Sequence, residues 1–553
     1  MNDLIILLIV TPLCASFFCL LGRYFPRLPI AETASIVAVA LCLVFLGRLF
    51  SSLPERKIFE YTVGGWPEPL GISLHLDGLA WFSSVMVMTI AFFALFFAWG
   101  EKQYRHDFYF FFLLLIAGME GVVLTGDLFN MFVFIEILSM ASYILIAYPK
   151  KSSSTSASFN YLLISSLGTG FLLLGILLLY QLTGTLSLRI LSDLLTETHT
   201  RNASLTLAAA SLAAGIGIRA AFVPLHTWLP DAHAYAPHPI SAVLSGVTIK
   251  VSFLAIWRIT RVLEAAYFQR IFLWVGMFTA FVGMIWAIAQ TESKKLLAYS
   301  SISQMGFIVA SFGAATSLSL TASFFHMLNH ALFKSLLFLS IGSVIYSTGE
   351  GDIRKLSNLG KKMFFVYWPF LIGAFAICGL PPFNGFASKY LVSLSLMKYP
   401  AIYYVIQLSN IGTVTSFIEL SKIFRKGRAQ TNHGMDSHKK LPKMMLFPLA
   451  ALSVLCIATG ITPRFWTTTI AAAITGEKLA IANGAYSLSH LVNRLLTLCL
   501  GFALYLFARS SAGRKAAKKL RGLHVGLDNS LLLLVAGFLL LAILGWVIQK
   551  GAL

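Results

Sequence analysis

Charged side chains are scarce in this sequence: Asp, Glu, Lys and Arg make up 12% of its 553 residues, against 58% hydrophobic ones. That scarcity excludes a soluble domain of this size, which needs far more polar surface to cover its core. The excess apolar side chains must face lipid, and one large helical bundle fits the length better than several soluble domains. Acids are the scarcer charge, 22 against 42 Lys and Arg, for a net charge of +20. This excess does not indicate nucleic acid. In a membrane protein, basic residues gather in cytoplasmic loops, where they fix orientation and meet anionic lipid headgroups. Cysteines number six, Cys14, Cys19, Cys42, Cys378, Cys456 and Cys499, and none forms a CxxC pair. No iron–sulfur, haem or zinc ligand set is visible, and buried thiols read as small apolar side chains. No GxGxxG follows a strand, so nothing binds nicotinamide, flavin or quinone by a recognisable motif. No cofactor or metal is expected, and any electron transfer belongs to another protein. The opening MNDLIILLIVTPLCASFF carries Asp3 but no Lys or Arg, which predicts a first mature helix rather than a signal peptide.

What the chain has in quantity is long apolar runs. A window of ~19 residues finds roughly sixteen. They lie near 3–22, 30–50, 77–100, 108–124, 127–148, 157–182, 203–224, 238–260, 269–290, 297–313, 318–347, 363–398, 400–425, 442–461, 487–509 and 530–549. The run 363–398 is interrupted. Lys and Arg concentrate in alternate connections, most densely around Lys422 to Lys443 and Arg509 to Arg521. The positive-inside rule then puts both termini on the outer face of the cell inner membrane. The expected fold class is an all-α polytopic membrane protein of 14 to 16 transmembrane helices. Six basic residues remain inside the runs. Arg48 and Arg494 sit near ends or edges and are expected to snorkel to headgroups. Arg219, Lys250, Lys334 and Lys389 lie well inside, where each charge costs about 2.5–3.5 kcal/mol.

The companions of these cations point to proton movement. Glu136 lies midway along GDLFNMFVFIEILSMASYILIAY. It is either half of a static ion pair or a carboxylate that biases a neighbouring basic group, and the cations nearby favour the second. Asp127 starts that helix, where an acid favours the positive dipole end. In GIRAAFVPLHTWLPDAHAYAPHPISAVLSGVTIK, Arg219 precedes Pro224, which breaks or kinks the helix. His226, His233 and His238 accompany Asp231 in an almost apolar loop, either fixing it by hydrogen bonds or serving proton intake or release. Arg219 stays protonated and reads as a fixed countercharge to Glu136, whereas Lys250 reads as a titrating centre. His326, His330 and Lys334 stand at i, i+4 and i+8, on one helical face about 6 Å apart per step, a spacing that passes protons through intervening water. In AFAICGLPPFNGFASKYLVSL, Pro381 and Pro382 break a helix just before Lys389, repeating the pattern at Arg219 and Pro224. Repetition in two halves predicts duplicated five-helix units. Glu120 is placed either at the Glu136 site or at the interface, and Glu419 beside Lys389 or Lys422.

The motifs GDLFNMFVFIE, PLHTWLPDAHAYAP with SAVLSGVTIK, KKLLAYSSISQMGF, NHALFKSLLF and GLPPFNGFASK together resemble a known family. It comprises the antiporter-like subunits of respiratory complex I, the D-type members of Mrp Na+/H+ antiporters and the membrane subunits of energy-converting hydrogenases. The resemblance spans roughly residues 70–425, with the motifs in family order. It implies fourteen core helices with two inverted five-helix repeats, each holding a broken helix. It also implies a division into N-terminal helices (1–107), a first half-channel (108–260), a second half-channel (269–425) and C-terminal helices with basic cytoplasmic loops (426–553). By motif, Glu136 matches the glutamate of the first half-channel and Lys250 the basic residue of the helix after the break. His330 and Lys334 match the connecting axis, and Lys389 the second broken helix. Arg219 departs from the family, which usually has lysine there; either the proton bypasses this position or the first half-channel acts as an electrostatic switch. Only the short basic stretch ARSSAGRKAAKKLRG separates the last two runs, so no long lateral helix is expected. The implied function is proton translocation along Glu136, Arg219, Lys250, His326, His330, Lys334, Lys389 and Glu419, inside an assembly with other membrane subunits. A D-type antiporter chain moving Na+ against protons is the alternative. A scaffold without transport gains nothing from four buried cations.

Overall fold

Long apolar stretches bounded by polar caps set the helices. Asp77 accepts a hydrogen bond from the Ala80 amide at 2.7 Å and Asp127 from the Asn130 amide at 2.7 Å. Each thereby satisfies an orphan donor at a helix start. The computed structural model describes residues 2–52, 58–198, 203–263, 266–425, 439–475, 484–522 and 527–549. Among these, 13 helices are long and apolar enough to cross a membrane, from Asp3–Arg23 to Leu488–Ala508. Ala203–Arg219, Phe364–Cys378 and Asn529–Leu539 are shorter apolar helices. The chain is an all-α polytopic membrane protein. Among the described residues its one small sheet is the antiparallel hairpin Ile58–Thr62 with Ser73–Asp77. Neither that hairpin nor the amphipathic helices Leu188–Thr198 and Pro463–Thr475 stands out as an apolar run.

The bundle is built around Ser317–Thr348, which packs against Ser293–Gly313, Phe364–Cys378, Asn384–Ser395 and Lys443–Ile461. Between the neighbouring helices Ala266–Ala289 and Ser293–Gly313 the backbones nearly touch. A β-carbon on Gly306 would fall 2.2 Å from the Ala280 nitrogen, so only glycine permits this approach, a common device where helices associate in lipid.

Three irregular places interrupt the helices. Ala203–Arg219 stops at Arg219, the chain turns through Pro224, and Leu229–Tyr235 resumes. Within the break the Trp228 indole donates to the Ile218 carbonyl at 2.7 Å, and the Val223 amide donates to Thr279 Oγ1 at 3.0 Å. Phe364–Cys378 ends at Gly379, which adopts φ +73°, a left-handed conformation suited to glycine, and Asn384–Ser395 follows Pro381 and Pro382. Lastly, His238–Val262 contains a π-turn over Leu244–Thr248.

The connections divide between two faces. On one, the Asn358 amide donates to the Arg425 carbonyl at 2.9 Å, the Lys439 amide to the Ser347 carbonyl at 3.3 Å, and Lys295 pairs with Asp231 at 2.7 Å. This is the strongly basic face. It also carries Ser511–Gly522, the short basic stretch before the last helix, which forms a helix of its own. The central part of the basic connection between Lys422 and Lys443 lies outside the described residues. On the other face the hairpin, Thr125–Asp127 and Ser187 interlock through short bridges.

Candidate functional site

Glu136 stands on Leu128–Ala147 and Arg219 at the end of Ala203–Arg219. Arg219 Nη2 lies 2.6 Å from Glu136 Oε1 and donates to Thr169 Oγ1 at 2.9 Å, while Nε donates to Ser139 at 3.0 Å. Thr169 itself donates to Glu136 Oε1 at 2.6 Å. A guanidinium can hold three acceptors at once because its donors form a rigid fork, and it keeps its charge at any working pH. Arg219 is buried, whereas the Glu136 side chain is 32% exposed on the bundle surface.

Past the first break, the π-turn shifts the hydrogen-bond ladder, and the Lys250 amine donates to the Ser245 carbonyl. Such turns often sit at functional positions. Lys334 donates to the Leu297 carbonyl at 2.8 Å and to Ser300, both on Ser293–Gly313. Lys389, on the second half of the second broken helix, donates to Asn410 Oδ1 at 2.8 Å. Lys250, Lys334 and Lys389 are each at most 1% exposed. No carboxylate pairs with any of them among the described residues; their acceptors are neutral oxygens. An amine held by a neutral acceptor can lose its proton without abandoning an ion pair.

Histidines fill the space between the lysines. His326 contacts Ser388 Oγ at 3.0 Å and Gln304 Oε1 at 3.2 Å, and its ring stacks toward His330 with centroids 6.3 Å apart. His330 lies within electrostatic reach of Lys250, Lys334, Lys389 and His326, and neither of its ring nitrogens has a protein partner among the described residues. The spacing seen in the sequence therefore does put His326, His330 and Lys334 in one buried zone, with Lys334 turned toward Ser300.

Of the two partners open to Glu419, Lys422 is the one it takes, and Lys389 takes Asn410 instead. Other candidates are placed differently from expectation. Glu120 is neither at the Glu136 site nor at the interface: it is fully buried and accepts from Ser84 Oγ at 2.6 Å. The three loop histidines do not bond to one another or to Asp231. His233 is buried beside the Leu229 backbone, and His238 Nε2 faces Glu101 Oε1 at 4.0 Å. Near that pair a cavity of about 590 Å³ opens on the basic face, lined in part by Tyr104, Lys151, His238, Glu292 and Lys294. Arg494 does not snorkel. It is 5% exposed and turned into the protein, because its helix rests on Pro400–Ser421 with that side inward. The roles of Asn410 and Arg494 could not be read from the sequence, since neither hydropathy nor spacing tells which side of a peripheral helix faces protein.

Comparison with known proteins gives this geometry a lineage. Residues 125–418, from the start of the Glu136 helix into Pro400–Ser421 beyond the second broken helix, match the family described as NADH:quinone oxidoreductase/Mrp antiporter, transmembrane. The N-type chain of the NADH-quinone oxidoreductase of Desulforudis audaxviator is 35% identical over 82% of this chain and 95% of its own length. The D-type chain of the Na(+)/H(+) antiporter of Alkalihalophilus pseudofirmus is 29% identical over 82% of this chain and 94% of its own. A chain in the structure of the membrane-bound sulfane sulfur reductase, an archaeal respiratory membrane complex, superposes with a TM-score of 0.78. It is 26% identical, and the match covers 90% of this chain and 100% of that one. The chain belongs to the NADH:quinone oxidoreductase/Mrp antiporter transmembrane family.

Proposed function

We propose that this chain is the proton-translocating, antiporter-like membrane subunit of a multisubunit complex I-type or hydrogenase-like assembly. The observation that carries this reading is the run of three buried lysines on neutral acceptors, with His326 and His330 among them. Static ion pairs would lock those amines in the charged state; neutral partners leave them free to exchange protons. The ring nitrogens of His330, without protein partners among the described residues and set among the lysines, supply a group that can take up and pass on a proton.

In this scheme the chemistry of partner subunits changes the charge around Glu136, which lies partly exposed at the surface where another membrane subunit can reach it. Arg219, a permanent cation, holds Glu136 in an ion pair until that change arrives. The altered field then moves the proton equilibrium of Lys250, and the change passes through His330 and Lys334 to Lys389. The two halves around the two helix breaks act as inverted half-channels. The basic face lies toward the cytoplasm, where its loops meet anionic lipids, and both termini lie outside the plasma membrane. Similarity to the D-type antiporter chain supports a second reading, in which a sodium gradient rather than redox chemistry drives the same path.

The test is proton pumping by the assembled complex in inverted vesicles. Glu136→Ala and Lys250→Ala are each expected to abolish pumping while partner-catalysed electron transfer persists. Undiminished pumping in both variants overturns the proposal. Loss of sodium-dependent growth on deletion, with no electron transfer to measure, selects the second reading.

A further inference from the structure

The helix Leu488–Ala508 lies beyond the family-matched residues, yet it delivers a cation to the second helix break. A β-carbon added to Gly379 would lie 3.3 Å from Lys389 Cδ and 3.6 Å from Arg494 Nη1. The two cationic side chains therefore flank one glycine, where the first half of the broken helix stops. Arg494 Nε donates to His490 Nε2 at 3.4 Å, and Nη1 has no protein partner among the described residues. Around Lys389 and Arg494 stand His326, Cys378, Tyr390, Tyr403 and His490. No Asp or Glu among the described residues pairs with either cation.

Anchoring alone does not account for Arg494. The ring of His490 already packs 4.9 Å from Phe386 and 4.7 Å from Tyr390, which ties the helix to the break. A buried guanidinium adds a desolvation cost that a neutral side chain would avoid. The first break offers the contrast. There the arginine is matched by Glu136; here it faces a lysine and no acid, so its field acts on that lysine uncompensated.

We propose that Arg494 is a positioning residue for transport: its permanent charge, set against Lys389, drives the proton off that amine and so makes Lys389 the releasing end of the path. The inference rests on the conduction scheme above. A fixed cation favours the uncharged form of a neighbouring amine, and nothing on this helix other than Arg494 is always charged.

The experiment follows proton movement by the assembled complex in inverted vesicles across the neutral and alkaline range, energised by respiratory substrate or a sodium pulse. Arg494→Met keeps the apolar stem and removes the charge, and its alkaline limb is expected to rise by about one pH unit. Arg494→Lys is expected to keep the wild-type profile. His490→Glu leaves the guanidinium in place but sets an acid against it, so it should shift the limb in the same direction as Arg494→Met. It decides the matter if Arg494→Met does not accumulate in membranes. A wild-type limb in Arg494→Met, or in His490→Glu where the first is absent, overturns the proposal, as does Arg494→Lys shifting like Arg494→Met. Lys389→Ala separates the two levels. If it still transports, the conduction scheme itself fails; if it is inactive while the other variants keep the wild-type limb, only the role of Arg494 fails.

Discussion

Arg219 is 1% exposed and the Glu136 side chain 32%, although the two share one ion pair. The exposed part of Glu136 lies midway along a membrane span and faces lipid or a neighbouring subunit rather than water, so neither charge can be stranded cheaply. Removing Glu136 leaves a guanidinium buried with only Thr169 and Ser139 as acceptors, a loss of about 3 kcal/mol or more. Removing Arg219 leaves a carboxylate with Thr169 alone as donor. Glu136→Ala and Arg219→Ala are each expected to lower the thermal unfolding midpoint of the detergent-solubilised chain more than the double substitution does, because the double variant strands no charge. Single variants at least as stable as the double one would show that the stranded charge is solvated in place. Much at this scale was legible in the sequence. A charge inside an apolar run announces itself, so Glu136, Arg219, Lys250, Lys334 and Lys389 could be picked out one by one. Their partners could not. Nothing near Asn410 in the sequence ties it to Lys389, 21 residues away, and Arg494 meets Gly379 only because a peripheral helix turns that side inward.

Among the elements, the outer hairpin shows how a segment without a long apolar run is held. Glu68 accepts from Ser73 and, at 2.9 Å, from Ser187, and it lies 3.2 Å from Arg189 and 3.5 Å from His75. It thus ties the hairpin to the start of Leu188–Thr198. Burial opposes ionisation of this carboxyl, but the two hydroxyls, Arg189 and His75 outweigh it and hold Glu68 below its ordinary value of 4.5. A depressed carboxyl contributes stability that is whole above that ordinary value and lost as pH falls through the lowered one. The stability gap between wild type and Glu68→Gln is therefore expected at neutral pH and should close in acid, as read from paired thermal midpoints. A gap that persists or widens on acidification would contradict the sign. The hairpin and the amphipathic helices were invisible to a hydropathy window because they are short or half polar. The apolar helices were readable for the opposite reason: lipid requires length and hydrophobicity of every span. Where helices stop short, as at Arg219 and Gly379, the prolines gave the approximate place, while tertiary contacts set the final turn.

For the molecule as a whole, the C-terminal helices link the two breaks. Leu488–Ala508 packs on Pro400–Ser421, where Thr415 Oγ1 donates to the Gly501 carbonyl at 2.9 Å. Ser511–Gly522 lies against Ala266–Ala289, and the last helix returns to the first break, with Phe538 stacked on Phe171 at 4.4 Å. Because Ser511–Gly522 is strongly basic and joins these two spans, its side of the membrane fixes the side of every other connection. In the orientation proposed above it lies in the cytoplasm, since basic segments next to spans resist translocation. The hairpin must then face outward, as an odd number of crossings separates it from any basic-face loop. Lys515 and Glu60 are both exposed, so cysteines placed there report sidedness without disturbing packing. A membrane-impermeant thiol reagent should label Lys515→Cys only in inverted vesicles and Glu60→Cys only in right-side-out ones, with Cys14 and Cys499 replaced beforehand because both are exposed on the isolated chain. Labelling of both positions from one side would break the alternation of spans. Exchanged labelling would keep the fold but turn the path around, so that Lys389 would release its proton toward the opposite compartment's half-channel.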